Sequence, residues 1–118
     1  MERYVYKGTV VSVIDGDTVE IEFQLGFDVN IFHRCRLLGI NTPETYGVKK
    51  DSEEYKRGKI AKDWLVDKIL GETLIIKTHK DQKGKYGRYL VELFMDEKSI
   101  AEEMIEKGLG VAYYGGKR

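Results

Sequence analysis

The architecture of this protein is set by residues 4–24, which read YVYKGTVVSVIDGDTVEIEFQ. Residues 4–14 are rich in β-branched and aromatic side chains, a composition typical of β-strands. The dipeptide Asp15-Gly16 then favours a turn, because both residues tolerate turn geometry. Residues 18–24 alternate apolar with polar or charged side chains, which predicts a half-buried strand. This part of the chain is therefore predicted to form a β-hairpin.

The segments that follow the hairpin carry further strand and helix signals. β-branched or alternating segments predict three more strands, and residues with capping chemistry delimit two helices. The predicted strands are residues 31–38, 73–78 and 88–95, and the predicted helices run from Asp51 to Gly71 and from Ser99 to Gly108. The order β-β-β-α-β-β-α is that of a five-stranded Greek-key β-barrel of the OB type, with two helices packed on it. The predicted fold class is therefore mainly β, or α+β.

The first predicted helix has a candidate cap and a candidate buried face. Asp51 is predicted as the N-cap, with Glu54 as its reciprocal partner in a capping box. The helical spacing of apolar side chains predicts a buried face made of Ile60, Ala61, Trp64, Leu65 and Ile69. Residues 39–50, which precede this helix, are predicted to form a loop.

Length and composition indicate one globular domain that covers residues 1–118. Hydrophobic residues make up 42% of the chain and charged residues 34%, which is not the composition of a disordered chain. The 20 basic and 20 acidic residues cancel. A nucleic-acid site must therefore arise from local clustering of positive charge rather than from the charge of the whole chain.

Cysteine count and hydropathy bear on where the protein works. Cys35 is the only cysteine, which excludes an intrachain disulfide and suits a reducing compartment. Residues 1–8 lack the apolar segment of a signal peptide, and no segment approaches the ~18 apolar residues of a membrane span. We therefore expect a cytoplasmic, monomeric protein without membrane contact. A secreted form with a trimmed signal is the alternative.

The hairpin turn contains the first candidate site residues. Asp15 and Asp17 place two carboxylates at the end of a hairpin, and such oxygen ligands suit Ca²⁺ or Mg²⁺. The same residues are common in plain hairpin turns, and taken alone the motif favours a plain turn. Both interpretations stay open at this point.

A second group of polar residues follows the third predicted strand, in the segment GINTPET at residues 39–45. Pro43 biases Thr42 towards an extended conformation, which can fix the direction of the Thr42 carbonyl. Asn41 offers a neutral amide oxygen, and Glu44 offers a carboxylate that can act as a general base for water. A polar turn without a catalytic role is the alternative interpretation.

Two arginines and a lysine-rich loop supply local positive charge. Arg36 lies in an otherwise apolar strand and Arg88 opens the last predicted strand, and two guanidinium groups at strand ends can clamp one phosphate. Lys85 belongs to the loop before Arg88, and Tyr86 and Tyr113 can stack on a base. The alternative is a solvated hairpin tip and an ordinary barrel surface.

Together these motifs resemble the staphylococcal nuclease (thermonuclease) family. The matching segments, which fall within residues 4–114, are IDGDTV at 14–19, RLLGINTPE at 36–44, KYGR at 85–88 and GLGVAY at 108–113. The resemblance implies an OB-type barrel with Ca²⁺-dependent hydrolysis of phosphodiester bonds in DNA or RNA. Single strands are the expected substrate, and 3′-phosphates are the expected products.

The resemblance also implies a role for each candidate residue. Arg36, Glu44 and Arg88 would be catalytic; Asp17, Asn41 and Thr42 would hold the metal; Asp15 would lie just outside the metal ligands; and Lys85, Tyr86 and Tyr113 would bind the neighbouring nucleotide. Asn41 departs from the family pattern, because the best-known member has an aspartate there. The amide removes one negative charge, so we expect weaker Ca²⁺ binding or a preference for Mg²⁺ or Mn²⁺. The alternative function is an OB-fold module that binds nucleic acid or protein without cleavage.

Overall fold

The protein is a β-barrel with two helices, seen in a computed structural model that describes residues 4–43, 45, 49–80 and 89–113. In chain order the elements are β1 (Val5–Asp15), β2 (Thr18–Gln24), β3 (Asn30–Leu37), β4 (Gly39–Asn41), α1 (Glu53–Ile69), β5 (Thr73–Lys80), β6 (Tyr89–Met95), β7 (Lys98–Ser99), α2 (Ile100–Glu106) and β8 (Val111–Tyr113). Within these described residues, no helix is both long enough and apolar enough to cross a membrane.

The barrel is closed by one short parallel pairing. β3, β2, β1, β5 and β6 follow one another through antiparallel pairs. β6 then returns to β3 in parallel, with Cys35 opposite Tyr89 and Leu37 opposite Val91. This closure confirms the predicted five-stranded OB-type barrel, and it places the start of β6 beside the second half of β3.

The first hairpin has the predicted alternation and an unusually crowded turn. Val19, Ile21 and Phe23 are buried in the barrel, as their spacing predicts. Asp15 pairs with Thr18, so the turn consists of Gly16 and Asp17. A Cβ atom on Gly16 would lie 2.7 Å from Thr42 Oγ1 and 3.0 Å from Ala61 Cβ. Glycine is therefore needed here because the hairpin turn packs tightly against α1 and the segment after β4.

Helix α1 differs from the prediction at its start and along one flank. Ser52 is the N-cap instead of Asp51, and its Oγ accepts a hydrogen bond of 3.1 Å from Tyr55 N. The prediction of Asp51 was wrong because two good capping residues are adjacent and only one of them can precede the first helical turn. The buried residues of the helix are Gly58, Ala61, Leu65 and Ile69, whereas Trp64 packs only partly against the core. Ile60 is 58% exposed.

The two short strands β4 and β8 form a separate small sheet. Gly39 pairs with Tyr113, and Asn41 pairs with Val111. Residues 39–41 therefore are not part of a loop, as the sequence predicted, but of a strand. Gly110 permits the pairing, since a Cβ atom there would lie 2.7 Å from the Asn41 carbonyl oxygen. Helix α2 begins as predicted, with Ser99 Oγ accepting from Glu102 N at 3.3 Å.

Candidate active site

The β1–β2 turn presents Asp17 to the segment that follows β4. Asp17 is 7% exposed and Thr42 is 5% exposed. Asp17 Oδ2 accepts a hydrogen bond of 3.2 Å from Thr42 N, and Asp17 Oδ1 accepts one of 3.2 Å from Thr18 Oγ1. The carboxylate is thus nearly buried and oriented by two donors. Its partner Thr42 is one of the other predicted metal-binding residues.

Arg36 brings Asp17 and Asn41 to a common point. Its Nη2 atom lies 3.8 Å from Asp17 Oδ2 and donates to Asn41 Oδ1. The same nitrogen donates to the Ile40 carbonyl oxygen at 3.2 Å. The guanidinium therefore holds the end of β4 against the hairpin turn. Side-chain oxygens from two different elements converge on it.

Tyr113 covers the guanidinium of Arg36. The Arg36 Cζ atom lies 5.1 Å from the centre of the Tyr113 ring, within the range of a cation–π contact. The pairing of β4 with β8 delivers this ring, because Tyr113 is opposite Gly39. Tyr113 was predicted to contact a nucleotide. In the structure it contacts the arginine that was predicted to bind the phosphate.

Asp15 braces the turn from the other side. Its side chain is nearly buried, and Oδ1 accepts hydrogen bonds from Gly16 N at 3.1 Å and from Thr45 Oγ1 at 2.9 Å. The second bond ties the hairpin turn to the segment after Pro43. Thr45 was absent from the predicted site. Its only sequence signal was a hydroxyl within the GINTPET segment, which did not indicate that it would reach Asp15.

Thr42 contributes a second buried polar atom to this corner. Within the described part of the chain, Thr42 Oγ1 has no hydrogen-bond partner, and it faces Gly16 and Ala61. Burial of a hydroxyl without a partner is costly, and such atoms are found where strain or an unseen ligand has a role. The corner formed by the turn and Thr42 is therefore both crowded and polar.

The oxygen atoms at this corner are of the chemical types that bind hard cations. They comprise the Asp17 carboxylate and the Asn41 amide, and Ca²⁺ and Mg²⁺ are bound by carboxylate, amide and carbonyl oxygens. Among the residues that the structure describes, no group of three or more His, Cys, Asp or Glu side chains could hold a metal. Cys35 does not belong to this corner: its side chain is fully buried in the barrel core, and burial raises the pKa of its thiol to about 12.

Four predicted site residues lie outside the described part of the chain: Glu44, Lys85, Tyr86 and Arg88. The structure therefore brings together Asp17, Arg36, Asn41, Thr42 and Tyr113, with Asp15 adjoining them. These residues come from the β1–β2 turn, β3, β4 and β8. The segments that carry the four remaining residues directly follow Pro43 or directly precede Tyr89 in the sequence.

Comparison with known proteins identifies the family. Residues 34–118 match the family described as "Staphylococcal nuclease homologue". This chain belongs to the staphylococcal nuclease family. The match includes Arg36, Asn41 and Thr42, and so it covers much of the corner described above.

Three curated relatives align with most of this family member. A thermonuclease of Staphylococcus hyicus is 30% identical over 105 residues, which are 89% of this chain and 58% of the relative. The endonuclease YhcR of Bacillus subtilis (strain 168) is 28% identical over 114 residues, 92% of this chain and 9% of the relative. The SPbeta prophage-derived endonuclease YokF of the same organism is 31% identical over 107 residues, 89% of this chain and 34% of the relative. The chain thus spans little more than half of the thermonuclease and much less of the two endonucleases.

Proposed function

We propose that this protein is a metal-dependent nuclease that hydrolyses phosphodiester bonds in DNA or RNA. The observation that carries the proposal is the convergence of the Asp17 carboxylate, the Asn41 amide oxygen and the Arg36 guanidinium at one corner of an OB-type barrel. Hydrolysis of a phosphodiester needs oxygen ligands for a cation and fixed donors where negative charge develops. Relatives named thermonuclease and endonuclease support the same reaction class.

In this proposal, Asp17, Asn41 and the Thr42 carbonyl hold the cation, with Ca²⁺ as the first candidate and Mg²⁺ or Mn²⁺ as alternatives. A bound divalent cation would act as a Lewis acid towards a phosphate oxygen. Asn41 gives this site one negative charge fewer than an aspartate would, which lowers the expected Ca²⁺ affinity. The near-burial of Asp17 supports its role, since the surrounding protein weakens competition from water.

Arg36 is proposed to bind and stabilise the phosphate during the reaction. A guanidinium carries five N–H donors, and the contacts with Asn41 Oδ1 and the Ile40 carbonyl engage Nη2. Arg36 can therefore be held by the protein and still donate to phosphate oxygens. Tyr113 keeps the guanidinium plane in place from the β8 side. Arg88 is proposed as the second arginine of the pair.

Glu44 is proposed to orient the attacking water and to accept its proton. The water oxygen forms a bond to phosphorus, and the bond between phosphorus and the 5′ oxygen breaks. The leaving oxygen takes up a proton from solvent and departs as a 5′-hydroxyl, so that the other product carries a 3′-phosphate, and Glu44 later returns its proton to solvent. Lys85 and Tyr86 are proposed to contact the neighbouring nucleotide. We further propose that residues 1–118 form a single domain, which acts on single strands as a cytoplasmic monomer. Asp15 is proposed to support the metal ligands without binding the metal itself.

A second candidate function is a module that binds nucleic acid or protein without cleavage. The observation that favours it is the contact between Arg36 and Asn41, because the amide that replaces a carboxylate already accepts from the arginine. The zero net charge of the chain counts against a dedicated polyanion binder.

The deciding experiment is a cleavage assay on fluorescent single-stranded DNA at alkaline pH. Parallel reactions contain Ca²⁺, Mg²⁺, Mn²⁺ or EDTA, and the Glu44→Gln variant is the matched control because it keeps the size of the side chain and removes its charge. Metal-dependent cleavage that the variant lacks supports the nuclease and identifies its ion. Binding without cleavage under every metal would replace the nuclease with the binding module.

A further inference from the structure

The β1–β2 turn holds the segment after β4 at two separate points. Thr42 N donates to Asp17 Oδ2 at 3.2 Å, and Thr45 Oγ1 donates to Asp15 Oδ1 at 2.9 Å. We term these two hydrogen bonds the turn clamp. The residues that the clamp holds lie on either side of position 44, which carries the proposed general base. The clamp therefore restrains the chain both before and after that position.

The acceptors of the turn clamp favour strong hydrogen bonds. Asp15 and Asp17 are each 7% exposed, so that water competes weakly for their oxygen atoms. A hydrogen bond to an ionised carboxylate is roughly twice as strong as one between neutral groups. Asp15 Oδ1 also accepts from Gly16 N at 3.1 Å, which fixes the acceptor itself to the turn. The hydroxyl of the half-buried Thr45 is thus bound to a rigid part of the protein.

The chain has little freedom between the two points of the turn clamp. Only positions 43 and 44 separate Thr42 from Thr45. Pro43 locks its own φ angle near roughly −65° and biases Thr42 towards an extended conformation. Consecutive Cα atoms are about 3.8 Å apart, so the backbone at position 44 lies within that distance of Pro43 and of Thr45. Covalent geometry therefore transmits the restraint of the clamp to Glu44.

The turn clamp is also connected to the proposed phosphate-binding arginine. Asp17 Oδ2, which accepts from Thr42 N, lies 3.8 Å from Arg36 Nη2. One turn thus contacts both the guanidinium and the segment that carries the proposed base. A carboxylate that activates water must be held precisely relative to the phosphate, because a misplacement of about 1 Å can cost roughly 100-fold in rate.

We propose that Thr45 is a positioning residue for Glu44. Through its hydrogen bond to Asp15, Thr45 sets the distance between the proposed base and the phosphate bound at Arg36. In this role Thr45 contacts neither the substrate nor the metal. The inference rests on the proposed nuclease function and adds to it a residue that had no part in the reaction. The alternative is a tie that stabilises the segment and leaves the reaction unaffected.

The test removes the hydroxyl of Thr45 and then restores it. Thr45→Val keeps the branched shape and removes the donor, whereas Thr45→Ser keeps the donor. Thr73→Val is the matched control, because the Thr73 hydroxyl also shares a side-chain hydrogen bond, of 2.8 Å with Thr9 Oγ1, outside the turn clamp. kcat and KM are measured on single-stranded DNA, and Ca²⁺ affinity is measured by calorimetry. If Thr45→Val is unfolded by circular dichroism, Thr45→Ala takes its place.

We expect Thr45→Val to lower kcat about 10–100-fold, the effect of a displacement of up to about 1 Å at the reacting atoms. KM and Ca²⁺ affinity should stay near the wild-type values, because the proposed substrate and metal contacts belong to other residues. Thr45→Ser should recover kcat, and Thr73→Val should not change it. An unchanged kcat in Thr45→Val would overturn the inference, and so would an equal loss in Thr45→Ser or a parallel loss of Ca²⁺ affinity.

A double variant shows whether Thr45 acts through Glu44. Residues that act as a unit have strongly non-additive effects on kcat. In the Glu44→Gln background, Thr45→Val should therefore cause little further loss of the residual kcat. A loss by the same factor in both backgrounds would show that Thr45 acts through another group, and the inference would be wrong.

A measurement without metal or substrate tests the clamp itself. The backbone order parameter of residue 45, obtained from ¹⁵N relaxation, should fall in Thr45→Val from about 0.85, typical of rigid backbone, towards the values below about 0.6 of flexible backbone. The same value in Thr45→Ser as in the wild type is expected. An unchanged order parameter in Thr45→Val would show that the bond to Asp15 does not hold the segment, which would overturn the inference.

Failure of the proposed function gives a different result. If the wild-type protein cleaves DNA with no metal ion, the nuclease proposal is wrong and the role of Thr45 falls with it. If the wild type cleaves, Glu44→Gln does not, and Thr45→Val keeps the full kcat, the nuclease proposal stands and only the inference about Thr45 is wrong.

Discussion

Replacement of Gly16 by alanine tests the crowded corner on which the proposed metal site depends. The new Cβ atom would lie 2.7 Å from Thr42 Oγ1 and 3.0 Å from both Thr42 Cβ and Ala61 Cβ. Carbon atoms in contact are normally about 3.5–4.0 Å apart, so that Thr42 or α1 must move by several tenths of an ångström. Overpacking of this kind costs about 1–3 kcal/mol, and we expect Gly16→Ala to lower the free energy of unfolding by that amount.

The same displacement should weaken metal binding, because Thr42 N is hydrogen-bonded to Asp17 Oδ2. Guanidinium unfolding followed through the fluorescence of Trp64, the only tryptophan, measures the stability. Calorimetric titration with Ca²⁺ measures the second effect. The matched control is the same substitution in a Thr42→Ala background, where the closest clashing atom is gone. There the cost of Gly16→Ala should shrink by about 0.5–3 kcal/mol, the usual coupling between residues in contact.

Two results would refute this reasoning. A Gly16→Ala protein with the unfolding midpoint of the wild type would show that the corner is not close-packed. A destabilisation of equal size with and without the Thr42→Ala change would show that Thr42 Oγ1 is not the atom in conflict.

Four further predictions follow from the same geometry. Asn41→Asp should tighten Ca²⁺ binding and raise cleavage, measured by calorimetry and by the DNA assay, because it restores a charged ligand; unchanged values for both would contradict the proposed ligand. Arg36→Ala and Glu44→Gln should each remove most turnover while the circular dichroism spectrum stays native; full activity in both would exclude the mechanism. Tyr113→Ala should lower kcat more than Tyr113→Phe, because phenylalanine keeps a ring over the guanidinium; equal kcat values would rule out the ring contact. Since burial raises the Cys35 pKa from 9.0 to about 12, its folded form retains the proton longer than its unfolded form. The contribution of the buried thiol to the free energy of unfolding is complete below pH 9 and is lost as the pH rises towards 12. The difference between the unfolding midpoints of the wild type and of Cys35→Ala should therefore shrink at high pH, and a constant difference would show that the thiol is not shielded.

Local patterns in the sequence predicted most of the barrel. The alternation of Val19, Ile21 and Phe23 identifies β2 because one face of that strand is buried, and a period of two leaves no other interpretation. The N-cap of α1 was missed by one residue, because Asp51 and Ser52 have nearly equal capping ability and the choice depends on where the preceding segment packs. Ile60 was wrongly placed in the core, since helical spacing cannot tell the centre of an apolar face from its edge.

Contacts between distant segments account for what the sequence did not predict. The pairing of β4 with β8 carries no local signal, since each strand has only three residues. The ring of Tyr113 therefore could not be assigned to Arg36 in advance, and neither could the hydrogen bond from Thr45 to Asp15. In contrast, the resemblance to the family had already assigned Asp17, Arg36 and Asn41 to one site, although the sequence placed Asn41 in a loop rather than a strand. Their contacts lie in one corner of the structure, and their roles stay predictions. Glu44 and Arg88 stay predictions.

The β4–β8 pairing also has a consequence for the order of folding events. Gly39 and Tyr113 are far apart in the chain, and closing so long a loop is entropically costly. Closure of so long a loop is slower than closure of the local β1–β2 hairpin, so we expect the β4–β8 pairing to form after that hairpin. We therefore expect Arg36 to meet Asp17 of the β1–β2 turn early, whereas the Tyr113 ring that covers it arrives only when β8 docks. A partly synthesised chain that lacks residues 111–113 would hold the arginine without that ring, so Arg36 would acquire its aromatic cover only after β8 has left the ribosome.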